Sequence, residues 1–161
     1  MANAVMEANH GLMQTVGVNN SVLAALIAEK RPVNGVGVSM FNIDAPENLL
    51  FFSRNVDLAQ ATGTARHAGD HAAVADAQIA IFDKFGRTPT QFGKTYADLM
   101  KGNPANLSTA EISLRNQVFD QAQALATDLR DYTNKALIDN KLSLTKTDPK
   151  ALSKNNLNNI G

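Results

Sequence analysis

The chain has 161 residues, 44% of them hydrophobic, 6% aromatic and 19% charged, with 15 basic residues against 15 acidic ones. That length sets a single domain as the expectation, and the neutral balance gives no electrostatic case for nucleic acid or an anionic membrane surface. The absence of cysteine excludes disulfides, thiolate chemistry and zinc sites built on Cys, and no stretch approaches the roughly twenty apolar residues that span a bilayer. The N-terminus lacks the charged and apolar regions of a cleaved secretory signal.

Taken in order, residues 1–16 carry Val5, Met6, Leu12 and Met13 in a loose helical pattern, weakened by Gly11 and Gly17. Asn19-Asn20-Ser21 offers a helix cap, and Val22 to Lys30 reads as a short helix with Val22, Leu23, Leu26 and Ile27 inward. Arg31-Pro32 stops it. Asn34-Gly35 is a turn signal, and the Val/Met/Phe alternation after it is the one convincing strand pattern. A lone extended piece cannot form a sheet. It must pair with another segment or another chain, or lie extended on the helices.

Asp44 and Glu47 have the spacing of a capping box, with Pro46 in the first turn. The helix expected after them carries Leu49, Leu50, Phe52, Val56 and Leu58, with a weak point at Thr62-Gly63. An Ala-rich helical run from Thr64 ends in Ile79, Ile81, Phe82 and Phe85 before a stop at Gly86. Thr88-Pro89 is expected to open a further helix with Phe92, Tyr96, Leu99 and Met100 inward, ended by Lys101-Gly102-Asn103-Pro104.

The rest of the chain reads as material to pack against the stretch from Ser108 to about Asn140. Ser108 and Glu111 form a capping box, and no Gly or Pro interrupts the run behind it. Val118, Ala122, Leu125, Leu129, Tyr132 and Ala136 step by four and three alternately, the spacing of a helix seam. The seam fits either a helix of an ordinary bundle or an interaction helix completed by another chain. After it, residues 141–161 carry Lys141, Lys146, Lys150 and Lys154 against Asp148, then an Asn-rich end, and read as a polar basic tail. The expected architecture is therefore mainly α: an elongated helical bundle over residues 1–140, with one long helix in its C-terminal half and at most one short strand or hairpin.

The histidines are the place to look for chemistry. His67 and His71 are four apart and share a helix face, as metal ligands do. Glu7 and His10 make one Glu-x-x-His, the spacing of carboxylate-bridged di-iron helices, but that architecture needs two further carboxylates on facing helices and a second such motif, and the second motif is missing. Surface or capping histidines are the plainer reading. There is no Gly-x-Ser-x-Gly, and Gly35 and Gly37 precede a strand pattern with no Lys-Ser/Thr behind them, so neither a nucleophile elbow nor a phosphate loop is expected. The residues point to no enzyme and no cofactor.

Three segments together resemble the bacterial flagellar hook-associated protein family of the hook–filament junction. Asn34-Gly35-Val36-Gly37-Val38-Ser39 is similar to the extended piece before that family's first long helix. The helical blocks from Pro46 to Gly86 look like that long helix, with LAQATGTARHAGDHAAVADAQIAIFDKFG in its polar, Ala-rich stretch. FGKTYADLMKGNPANLSTAEISLRNQVFDQAQALATDLRDY is similar to its short helix, Asn-Pro loop and long helix. The resemblance covers about residues 33–140 and implies an exported axial protein that polymerises through helices.

Two classes of function are compatible with these features. One is a non-enzymatic structural subunit of an extracellular or virion-type assembly, with other protein subunits, copies of itself among them, as partners; a bacteriophage structural or accessory protein belongs to the same class. Nucleic acid and membrane insertion are not expected. The other is a self-contained helical bundle holding a metal or small ligand through His67, His71, Glu7 and His10.

Overall fold

The computed structural model describes residues 6–53, 56–63 and 72–139. In chain order these form β1 (Met6–His10), α1 (Gln14–Asn19), α2 (Ser21–Ala28), β2 (Lys30–Val33) and β3 (Val36–Ser39). They continue with β4 (Leu49–Ser53), α3 (Val56–Thr62), α4 (Ala72–Gly86), α5 (Tyr96–Lys101) and α6 (Thr109–Ile138). Short 3-10 turns lie at Pro46–Asn48 and Pro104–Asn106.

The centre of the core is the short helix α2. Asn20 caps it, its Oδ1 accepting from the amides of Val22 and Leu23 at 2.9 and 3.1 Å. Val22, Leu23 and Leu26 are fully buried, and α2 touches α1, α4, α5, α6 and β3. A helix apolar on this much of its circumference has to be covered from several sides. The long helix α6 forms one wall of that cover.

The elongated bundle is overturned. Among the described residues there are six helices and two separate antiparallel sheets of two strands each. β1 pairs with β4, in register from Met6 opposite Ser53 to His10 opposite Leu49, where the residue pattern reads a helix at each end. Leu49-Leu50-Phe51-Phe52 is a short continuous apolar run, and such a run does not distinguish strand from helix by period. β1 is polar and short, and only its distant partner makes it a strand. The lone strand after Asn34-Gly35 finds its partner immediately before that turn, in Lys30–Val33. The helix expected from Thr88-Pro89 starts instead at Tyr96. Thr95 and Asp98 form its capping box, and residues 88–95 fold into a tight loop closed by a Pro89–Thr95 bridge.

A pair of buried amides locks the loop between β1 and α1 to the rest. Asn48 Oδ1 accepts from the Leu12 amide at 2.7 Å, and its Nδ2 donates to the carbonyls of Leu12 and Ile43 at 3.0 and 2.7 Å. Gln78 Oε1 accepts from the Met13 amide at 2.9 Å, while its Nε2 donates to Gly11 O at 2.6 Å and to Thr133 Oγ1 at 3.4 Å. Asn48, Gln78 and Thr133 are each 0% exposed. Buried backbone groups must be paired, and here side chains do what no sheet or helix does for residues 11–13. A Cβ on Gly11 would lie 2.1 Å from Asn134 Oδ1, so a larger residue here would have to push the Asn134 side chain aside.

Candidate interaction surface: a hairpin mounted on α6

The β2–β3 hairpin turns through Asn34 at φ 50 and Gly35 at φ 80. Positive φ at both central residues is the requirement of the two-residue turn that matches strand twist, and Asn-Gly is its preferred sequence. The ladder pairs Val33 with Val36, Pro32 with Gly37, Arg31 with Val38 and Lys30 with Ser39, and the Met40 amide extends it by bonding Glu29 O at 2.9 Å. Opposed residues share a face, so Arg31, Val33, Val36 and Val38 lie together on one side.

That side carries Arg31 to α6, where its Nη1 meets Asp120 Oδ1 at 2.6 Å and its Nη2 donates to Asn116 O at 3.1 Å. The base of the hairpin is fixed more deeply. Arg115 donates from both Nη atoms to the Glu29 carboxylate at 3.1 and 3.0 Å, and its guanidinium lies 4.5 Å from the Phe119 ring centre. Gln123 Nε2 donates to Met40 O, and Ser39 Oγ donates to Ile27 O at the end of α2. A planar, bidentate guanidinium suits such a fixed anchor better than a flexible ammonium. Beyond these anchors the tip is free of the core: Val33, Val36 and Val38 are 54%, 65% and 46% exposed.

No family model, curated protein or solved structure matches the chain.

Of the seam read from the sequence, Val118, Ala122, Leu129 and Ala136 are buried within this chain, Leu125 is half-buried against the same core, and Tyr132 faces outward at 39% exposure. The buried line along α6 runs through Arg115, Phe119, Ala122, Ala126, Leu129, Thr133 and Ala136. It too steps by four and three, but it includes an arginine and a threonine that an apolar pattern passes over. Arg115 is buried because Glu29 neutralises it, and Thr133 because Gln78 bonds it. The covering elements are α2, α5 and the turn at Pro46–Asn48, all of the same chain.

His67 and His71 lie outside the described residues, as do the Glu7 side chain and the tail over 141–161. His10 Nε2 sits 3.2 Å from Asp44 Oδ1 at the protein surface. Gln14 also bonds that carboxylate, and its hydrogen bond, followed by the one from His10, holds Asp44 below the usual carboxylate range. Among the described residues no group of three His, Cys, Asp or Glu could hold a metal ion, and no helix is long and apolar enough to cross a membrane. Two shallow depressions flank α2. The larger, about 410 Å³, is walled by Ala24, Ala25, Ala28 and Met100 with Glu29 and Lys101 at its rim, and neither depression gathers a set of reactive side chains.

At the start of α6, just before the hairpin anchors, Glu111 closes the capping box with Ser108 and accepts from Lys94 Nζ at 2.7 Å. Lys94 first, then the Ser108 amide and hydroxyl, lower the Glu111 carboxyl to about 2. This pins the loop before α5 to the start of α6.

The arginine anchors are the residues of this candidate surface hardest to find in sequence. Arg31 reads as part of a helix stop, and Arg115 falls outside the apolar seam of Val118, Ala122, Leu125, Leu129, Tyr132 and Ala136. Only the Asn-Gly signal announces the hairpin that they hold.

Proposed function

We propose that the chain is a non-enzymatic assembly subunit that meets other protein subunits, copies of itself included, through the β2–β3 hairpin. The observation that carries this reading is the contrast between the hairpin's rigid base and its exposed valine face. Bonds at Glu29, Arg31, Ser39 and the Met40 carbonyl hold the base of the hairpin in one place, while three valines on one face stay in water. Exposed apolar groups on a fixed, edge-bearing element favour protein contact.

The two edges of the hairpin differ. Counting from the bonded closing pair Val33–Val36, Pro32 and Gly37 occupy a non-bonded pair, so their main-chain groups point outward. Pro32 has no N–H to offer, which blunts the β2 edge. The β3 edge, Val36-Gly37-Val38-Ser39, keeps its amides and carries no charge. A like strand from another copy is a suitable partner, and the zero net charge of the chain sets no long-range repulsion against it. The resemblance to the flagellar junction family agrees with an assembly role, although the α6 face it would use is packed against this chain's own α2 and α5.

Light scattering coupled to sizing over a wide concentration range tests the proposal. Mass should rise with concentration for the wild type, while Val36→Lys with Val38→Lys should stay monomeric at an unchanged melting temperature. A wild type that is monomeric at every concentration would remove it.

A further inference from the structure

We infer that Asn34-Gly35 is a site of spontaneous covalent modification, in which Asn34 loses ammonia through a succinimide and the hairpin turn is rebuilt as aspartate or isoaspartate. The chemistry needs a backbone amide nitrogen that can reach the preceding side-chain carbonyl without a shielding side chain. The sequence contains a single Asn-Gly dipeptide, and it stands at this turn.

The structure leaves that turn open. Asn34 and Gly35 are both exposed, and even a Cβ built on Gly35 would meet nothing within 4 Å. The ladder bonds that close the hairpin belong to Val33 and Val36, so the Gly35 amide is not committed to them. The Asn34 side chain makes no hydrogen bond among the described residues. Ring closure requires rotation about ψ and χ1 of Asn34 to bring Cγ onto the Gly35 nitrogen, and a turn with nothing packed on it can make that excursion without disturbing the core.

The step balances without an added oxidant or reductant. Gly35 N gives up its proton to solvent base and attacks Asn34 Cγ. The bond from Cγ to the side-chain nitrogen breaks and ammonia leaves. Water then opens the five-membered ring at either carbonyl. Opening at one carbonyl gives aspartate. Opening at the other gives isoaspartate, with an extra methylene in the main chain. A two-residue turn has no room for that methylene, so Val33 and Val36 lose their register and the valine face is displaced. Either product also places a new negative charge at the tip.

Asn20-Ser21 supplies an internal control. Serine is also a small follower, but Asn20 is 1% exposed, its Oδ1 caps α2 and its Nδ2 donates to Asp83 at 2.8 Å. It should be inert.

The experiment is to hold the intact protein at physiological temperature over a series of neutral to mildly alkaline pH values, then to map peptides by mass spectrometry with detection of isoaspartate. The peptide containing Asn34 should gain one mass unit and split into two isomers, faster as pH rises, while the Asn20 peptide stays unchanged. Asn34→Gly keeps the turn conformation open to glycine and should abolish both the mass gain and the acidic charge variant. The inference fails if Asn34 keeps its amide in the folded protein over a period in which a free peptide of the same sequence converts completely. It also fails if Asn34→Gly accumulates the same acidic species.

Discussion

Two polar attachments tie the early part of the chain to later helices, and they differ in what surrounds them. At one, the amides of Asn48 and Gln78 hold residues 11–13 beside Thr133, all out of water. At the other, Arg115 and Asp120 of α6 hold the base of the hairpin, with Arg115 buried, Arg31 half-buried and Asp120 exposed. The bond lengths are alike. The consequences of breaking them are not, because a group left unpaired in a dry site loses water as well as its partner, whereas an exposed one recovers water at once. The clamp therefore specifies the fold, and the mount positions a surface.

The sharpest way to break this contrast is Asn48→Ala. It strips partners from the buried Leu12 N and Leu12 O and from the part-buried Ile43 O, and should cost about 2–6 kcal/mol by chemical denaturation, at about 1–3 kcal/mol for each of the two fully buried groups. If the loss is under about 1 kcal/mol, water already reaches the loop and the two attachments are alike. Next come substitutions along α6, which test the phase of its buried face. Leu129→Ala should cost about 2–5 kcal/mol, Leu125→Ala clearly less, and Tyr132→Ala under about 1 kcal/mol, following their burial. An equal loss at Tyr132 and Leu129 would mean that a second chain covers Tyr132 in solution.

Within the mount itself the two arginines should separate. Arg115→Ala leaves a half-buried Glu29 carboxylate without its partner and should cost about 2–4 kcal/mol, while Arg31→Ala, on a pair open to solvent, should cost under about 1 kcal/mol. Salt should erase much of the second effect and little of the first. The smallest expected effect is on the acid limb of stability. Glu111 titrates near 2 when folded, against an ordinary value of 4.5, so its contribution is complete above about 4.5 and disappears as pH falls through about 2. Glu111→Gln should flatten the acid limb in that window, and an unchanged pH profile would remove the Lys94–Glu111 pin from the account.

How much of this is legible in the sequence depends on the distance between interacting residues. The helix α6 is, since Ser108 and Glu111 announce its start three residues apart and no Gly or Pro interrupts it up to Ile138. So are the Asn20 cap, the end of α4 at Gly86 and the turn at Asn34-Gly35. Each of these is an arrangement between near neighbours, and near neighbours are visible in a string of letters. The strand pair β1–β4 is not, because its register joins His10 to Leu49, β4 is a continuous apolar run, and β1 is a five-residue polar stretch too short to announce a strand. The phase of the buried face of α6 is not, because it turns on Glu29 neutralising Arg115 and Gln78 satisfying Thr133. The central place of α2 is not either, since an eight-residue helix becomes a hub only when four other helices close around it.

The sequence by itself therefore determined the long helix, the Asn20 and Ser108 caps and the hairpin turn, through local hydrogen bonds and backbone sterics, but not the Asp44–Glu47 box, whose place is taken by a 3-10 turn without a side-chain cap. Only the tertiary structure decided which polar residues could be buried, which strands found partners, and which apolar residues were left facing water. Those outcomes depend on desolvation and pairing between distant residues, and no local pattern records them.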